Sequence, residues 1–287
     1  MRFTRFVAVD WSGARGPHLP GVQVAECRAG DAAPRLVRSP GGGAWRRSAL
    51  FEWLAGGGLD EGTLLGFDFS FTFPYVDRGA YFPGAPGTPS EALALWRLVE
   101  RVCRDDAEFY AGTFTRSAPW RDHFRTNGYL GRRFVRRHKL VEARCQAQGL
   151  GAPESVFHLI GAKQVGMGSL AGMRFLLAIR TAVPRLTVWP MDPLPQRGPV
   201  AAEVFPRLFL KMAGHGNGKV RSVAALNRCL KALGSDPIRA RTVTDDEADA
   251  LITTVGLRAI AGEAALWRPA GLTRRLARTE GWVLGVR

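Results

Sequence analysis

The stretch VAVDWSGA, positions 7–14, decides how this chain is read. Positions 5–10, RFVAVD, are short, apolar and valine-containing, which is the make-up of a strand buried on both faces. The run ends abruptly in a carboxylate, an aromatic ring, a serine and a glycine. An aspartate at such a place either closes an Asx-turn or serves a ligand beyond the strand end. The rest of the chain has to choose between these readings.

Working outward, GVQVAECR (21–28) alternates like a half-exposed strand, and PRLVRS (34–39) reads as a short third one. Gly and Pro punctuation between the three predicts an antiparallel meander. WRRSALFEWLAGG (45–57) has helical apolar spacing and stops at glycines. GTLLGFDFSF (62–71) is then a second buried strand, with Asp68 near its end. The order β-β-β-α-β places a crossover helix before the fourth strand, so that strand can lie parallel beside the first.

The long segment 72–185 opens with a Pro/Gly/aromatic loop, and it reads as a helical insertion or cap within a single domain spanning 1–287. Its expected helices cover 90–106, 131–149 and 165–183. Beyond it, RLTVWP (185–190), VAAEVFPRLF (200–209) and GWVLGV (281–286) read as strands. VRSVAALNRCLKALG (220–234) and TDDEADALITTVGLRAIAG (244–262) read as helices.

Asp10, Asp68 and Glu203 share one property: each lies at or near the exit of a predicted buried strand. In an open α/β sheet, ligands bind beyond those exits. Adjacent parallel first and fourth strands make Asp10 and Asp68 neighbours, and two close carboxylates raise each other's pKa. A divalent cation relieves that repulsion, and Mg²⁺ prefers oxygen ligands. For each of the three a plainer role exists: a turn for Asp10, and a partner such as Arg207 for Glu203. Asp68 sits between phenylalanines, where an unpaired charge is costly. In the 244–262 helix, Thr244 and Glu247 form a capping box, and Asp245 and Asp246 suit the first turn. Capping does not explain Asp249, which falls at the edge of the apolar stripe. Asp246 and Asp249, three apart, can address one point.

An early strand ending in Asp, an acidic residue after the fourth strand and a late DxxDAL helix resemble the RNase H-like superfamily. Within it the chain is similar to domain-of-unknown-function family 429, which comprises predicted nucleases. The matching stretches are VAVDWSG, GFDFSFTFPY, AEVFP and DDEADALITT, and the resemblance covers most of the chain outside the insertion. The second stretch departs from the family pattern, because Phe-Ser-Phe follows Asp68 where small or apolar residues are usual.

The resemblance implies an α/β fold with a mixed five-stranded RNase H-like sheet flanked by helices. It also implies phosphodiester hydrolysis by a two-metal mechanism. Asp10 and Asp68 would hold Mg²⁺ or Mn²⁺, and Asp249, with Asp246 or Glu203, would complete a second site. Ser12 and Gly13 would form the turn that substrate backbone approaches. Phosphates would meet Arg132, Arg133, Arg136, Arg137 and Lys139, together with Lys163, Lys211 and Lys219. The arginine cluster reads equally as a solvated helix face.

Composition agrees with a polyanionic partner without requiring one. The net charge is +15, but only five of the 40 basic residues are lysine. With 34 Gly and 18 Pro, that skew also reads as base-composition drift. Cys27, Cys103, Cys145 and Cys229 show no metal-type spacing, as expected of a reduced, cytoplasmic chain. The five histidines show no paired pattern. MRFTRFVAVDWSG lacks the apolar core of a signal peptide, and no apolar run approaches the roughly 18 residues of a membrane span. GHGNGK (214–219) departs from a P-loop at both ends. Two alternatives stand beside the nuclease. One is an actin-like ATP-dependent phosphotransferase, for which no second phosphate loop is seen. The other is a non-catalytic nucleic-acid-binding protein.

Overall fold

Arg5–Asp10 forms strand β1, buried at all six positions, as its apolar run requires. The computed structural model describes residues 3–161 and 164–287. β1 pairs antiparallel with β2 (Gln23–Arg28), which pairs antiparallel with the two-residue β3 (Arg35–Leu36). Helix α1 (Arg47–Trp53) then carries the chain across, and β4 (Thr63–Phe67) returns parallel to β1. The expected meander and crossover are both present.

The main sheet is mixed and six-stranded, where five strands were expected. β8 (Thr187–Trp189) adds itself at the edge, parallel to β9 (Val200–Glu203), and β9 is parallel to β4. The order is β3-β2-β1-β4-β9-β8. Alternate residues feed two cores. Val7, Val9, Leu65, Phe67 and Ala201 face one that contains α2 (Ala92–Cys103) and α4 (Val165–Ala182). Phe6, Ala8, Leu64, Val200 and Ala202 face the other, with α5 (Pro206–Met212), α6 (Val223–Ala232) and α7 (Asp245–Ile260). Burial on both faces explains why these strands read as nearly unbroken apolar runs.

Three expectations fail at their edges. The expected 200–209 strand stops at Glu203, because Pro206 takes the first position of α5, where its missing N–H is no loss. Residues 281–286 form no strand and contribute a single bridge, from Val283 to Glu203. In 131–149, only α3 (Leu140–Ala147) is helical. The preceding stretch is a turn at Arg132–Arg133 followed by irregular chain, with Arg137 drawn inward to the Pro74, Ala80 and Tyr81 carbonyls and to Asp77. The 72–185 segment also holds a small sheet absent from the sequence reading: β5 (Arg125–Thr126), β6 (Tyr129–Leu130) and β7 (His158–Leu159), ordered β6-β5-β7. Two short helices, α8 (Ala264–Trp267) and α9 (Arg274–Thr279), close the chain. Among the described residues no helix is long and apolar enough to cross a membrane.

Candidate active site at the strand exits

Strand register brings the first two carboxylates together. Val9 lies opposite Phe67, and the Asp68 N–H donates to the Val9 carbonyl at 3.1 Å. Asp10 and Asp68 therefore leave adjacent parallel strands side by side. The Asp68 charge in turn raises the Asp10 carboxyl. α7 packs across β1 and β2 and presents Asp249, which is buried, with the half-buried Asp246 one turn earlier. Thr244 and Glu247 cap α7 reciprocally, as expected, so its start is fixed.

The electrostatics are those of crowded acids. Burial raises the Asp10 carboxyl well above the usual carboxylate range, and Asp68, Asp249 and Asp246 push the same way. Asp68 is pushed up to about 7, first by burial and then by Asp249. Asp246 is raised by burial and by Asp245. One cation opposes all three: Lys219, whose Nζ lies 2.5 Å from Asp249 Oδ2. Burial works against that ammonium, but the hydrogen bond and charge of Asp249 hold it above the ordinary lysine value. The other Asp249 oxygen, Oδ1, is buried without a hydrogen-bond partner among the described residues.

Glu203 belongs to a different arrangement. Both of its oxygens accept from Lys139 Nζ, at 2.6 and 2.7 Å, and one also accepts from the Phe71 N–H. It raises Asp68 through space, while both of its own oxygens already accept hydrogen bonds. Lys139, grouped by sequence with exposed phosphate-binding residues, is completely enclosed.

A cleft of about 500 Å³ opens beside Asp68 and Glu203. Its walls include Ser12, Phe69, Ser70, Glu154 and Met167. The Trp11–Ala14 turn forms one rim and is clamped from below. The Arg47 guanidinium is fully buried, donates to the Ser12 and Ala14 carbonyls and lies over the Trp11 ring at 5.5 Å. Nothing in the sequence marks Arg47 for this task.

The expected substrate contacts have mixed fates. Ser12 lines the cleft, and its Oγ and an Asp246 oxygen lie 3.7 and 3.5 Å from where a Gly21 side chain would begin. Gly13 also lines the cleft, but its α-carbon faces α4, and a Cβ there would meet Gly168 N at 2.3 Å. Its smallness serves helix packing rather than substrate approach. Arg136 is exposed, with Glu154 at 3.5 Å and His158 beside it. Lys211 donates to Asn217 Oδ1 at 2.7 Å on the surface. Arg137 is a correction: it is buried, and its guanidinium is committed to Asp77 and three carbonyls inside the fold. Lys163 lies outside the described residues.

Oxygen donors of this kind suit a hard divalent cation. The orphan Asp249 Oδ1 is a buried acceptor with nothing to accept from. Among the described residues, no three His, Cys, Asp or Glu side chains already converge on one point as a cation cage. Asp10 and Asp68 form a pair, while Asp249 is turned to Lys219. The donor chemistry therefore fits a metal, and Lys219 accounts for the third ligand's present partner.

No protein-family model matches the chain, and neither a curated protein nor a solved structure does.

Proposed function

We propose that this chain is a metal-dependent nuclease of RNase H-like architecture, similar to domain-of-unknown-function family 429, that hydrolyses phosphodiester bonds of DNA or RNA. The observation that carries this reading is the pair Asp10–Asp68, brought side by side at the exits of parallel strands, with Asp249 close enough to raise both carboxyls. A fold gains nothing from gathering two buried acids and a half-buried one unless something positive joins them. The antiparallel β3-β2-β1, the parallel β4 and β9 and the late acidic helix support the fold assignment, with β8 as an added edge strand and 72–185 as an insertion into one domain.

Asp10, Asp68 and Asp249 would hold Mg²⁺ or Mn²⁺, with Asp246 at the solvent side. The ion, when bound, supplies Lewis acidity at the scissile phosphate. The chain's own residues position and exclude. Arg47 fixes the Trp11–Ala14 rim, Ser12 offers a hydroxyl beside Asp246, and Glu203 with Lys139 anchors the Phe71 backbone at the floor of the cleft. Arg136 and Lys211 remain available to phosphates, and the +15 net charge favours a nucleic-acid partner.

The test is cleavage of labelled DNA and RNA, single- and double-stranded, with Mn²⁺, with Mg²⁺ and with a chelator. Metal-dependent cleavage that falls at least about 100-fold in Asp10→Asn supports the reading. Salt-sensitive binding with no cleavage under any condition replaces it with the non-catalytic binder.

A further inference from the structure

Lys219 is placed where the proposed metal has to act. Its ammonium contacts Asp249 at 2.5 Å and lowers the proton affinity of Asp10, Asp68 and Asp246 through space. The two partners are unequally buried: the lysine side chain is 44% exposed and the aspartate 7%. Asp249 cannot leave, because it is fixed on α7, whereas Lys219 can swing into water by rotating its own stem. Its loop favours that movement. Residues 213–219, AGHGNGK, link α5 to α6, and Gly214, Gly216 and Gly218 have open space around them. The loop is tethered on its outer side by exposed, water-exchangeable bonds. Arg207 donates to the Gly216 and Gly218 carbonyls at 3.1 Å each, and Lys211 donates to Asn217. Val220 is buried and anchors the following residue.

We propose that Lys219 is a built-in counter-cation, a latch whose ammonium holds the carboxylate cluster together until a divalent ion displaces it. This inference rests on the metal-binding reading of the same acids. An unpartnered buried Asp249 would be strongly destabilising, so the metal-free protein needs a resident positive charge. The geometry supplies one that is attached, exposed on one side and carried by a glycine-rich loop. Asp249 Oδ1 stays orphaned because a single ammonium on Oδ2 satisfies half of the carboxylate. Entry of a divalent ion releases one ammonium to solvent, where a neighbouring phosphate is its natural next partner.

The test is calorimetric titration of Mn²⁺ into the full-length chain at fixed ionic strength and pH, in wild type, Lys219→Met and Lys219→Arg. Displacement predicts that Lys219→Met binds Mn²⁺ at least about tenfold more tightly than wild type. Lys219→Arg, whose fork can grip Asp249 with two bonds, binds it more weakly. A merely remote charge predicts an arginine variant equal to wild type, and that result overturns the latch. So does a methionine variant with unchanged or weaker affinity while wild type still binds. If none of the three binds Mn²⁺, the metal reading itself fails and the latch falls with it. Melting curves guard against misfolding: Lys219→Met should melt below wild type without metal, and saturating Mn²⁺ should raise its melting point by the larger amount.

Discussion

Asp68 makes the metal-free protein lose stability as pH rises. Its folded pKa is raised to about 7, mainly by burial, from an ordinary 3.8. A raised carboxyl means that the folded state binds the proton more tightly than the unfolded chain does. The associated stability is fully present below the unfolded value and is lost as pH rises through about 7. Linkage over that one site, taken from about pH 5 to about pH 8, removes roughly 2–3 kcal/mol. At about 2–4 °C per kcal/mol for a chain of this size, this group alone would lower the melting temperature by roughly 5–10 °C. Two histidines titrate nearby in pH. His138, raised by its hydrogen bond to Glu142, drifts the same way, but it is substantially exposed and contributes little. His123, lowered to about 4 by burial, works the other way: its folded state disfavours the proton, so it gains roughly 2 kcal/mol as pH rises from about 5 to about 7 and offsets much of the Asp68 loss in wild type. Asp68→Asn isolates the carboxylate. It keeps the shape, removes the charge and relieves Asp10, so it should be more stable than wild type near pH 8 by about 2–4 kcal/mol. Scanning calorimetry across the pH range, in chelator, measures both chains. His123 is common to both chains and cancels in their difference, so a stability gap between Asp68→Asn and wild type that does not widen from about pH 5 to about pH 8 refutes the reasoning, as does an Asp68→Asn variant no more stable than wild type near pH 8.

Two further substitutions probe the scaffold under the site. Gly13→Ala drives a methyl into Gly168 N at 2.3 Å, backbone against backbone, and should cost about 3 kcal/mol or more; an unchanged urea midpoint would show that the rim is not wedged against α4. Lys139→Met strands the buried Glu203 carboxylate and should cost about 3–5 kcal/mol, much of it recovered when Glu203→Gln is added; a double mutant no better than the single would mean that the pair is not the source of the loss.

The parts of the fold legible in the sequence are those fixed by short-range rules. Strand period and Gly/Pro punctuation marked β1, β2 and β4, and the crossover rule made β4 parallel to β1. The capping box located the start of α7 correctly. The errors arise where long-range contacts override local pattern. RRFVRRHK has helical composition, yet it forms a turn and irregular chain, with Arg137 bonding carbonyls more than fifty residues away. GWVLGV has strand composition, but β8 and β4 flank β9 over Val200–Ala202, so only Val283 finds a parallel bridge, at Glu203 beyond the end of β8. The small β5–β6–β7 sheet uses two residues per strand, too few for any periodic signal.

The acids and the bases of the site differ in how far the sequence could place them, for one physical reason. An aspartate at a strand exit has its position set by the strand, so register alone put Asp10 beside Asp68. A lysine or arginine has a long, flexible stem, and its partner is chosen by the tertiary structure. The five basic residues between 132 and 139 look alike in sequence and end differently. Arg132 meets Asp122 at the surface and Arg136 meets Glu154, whereas Arg137 is sunk among carbonyls and Lys139 is enclosed on Glu203. Reading that run as phosphate affinity therefore overcounts, since at least two of its charges are spent holding the cleft together. The same logic elevates Lys219. Sequence ranks it with Lys211 as one more basic residue, yet it alone of the two contacts an acid of the carboxylate cluster. Net charge measures how strongly the chain attracts a polyanion. The distribution of partners decides which of those charges the polyanion can reach.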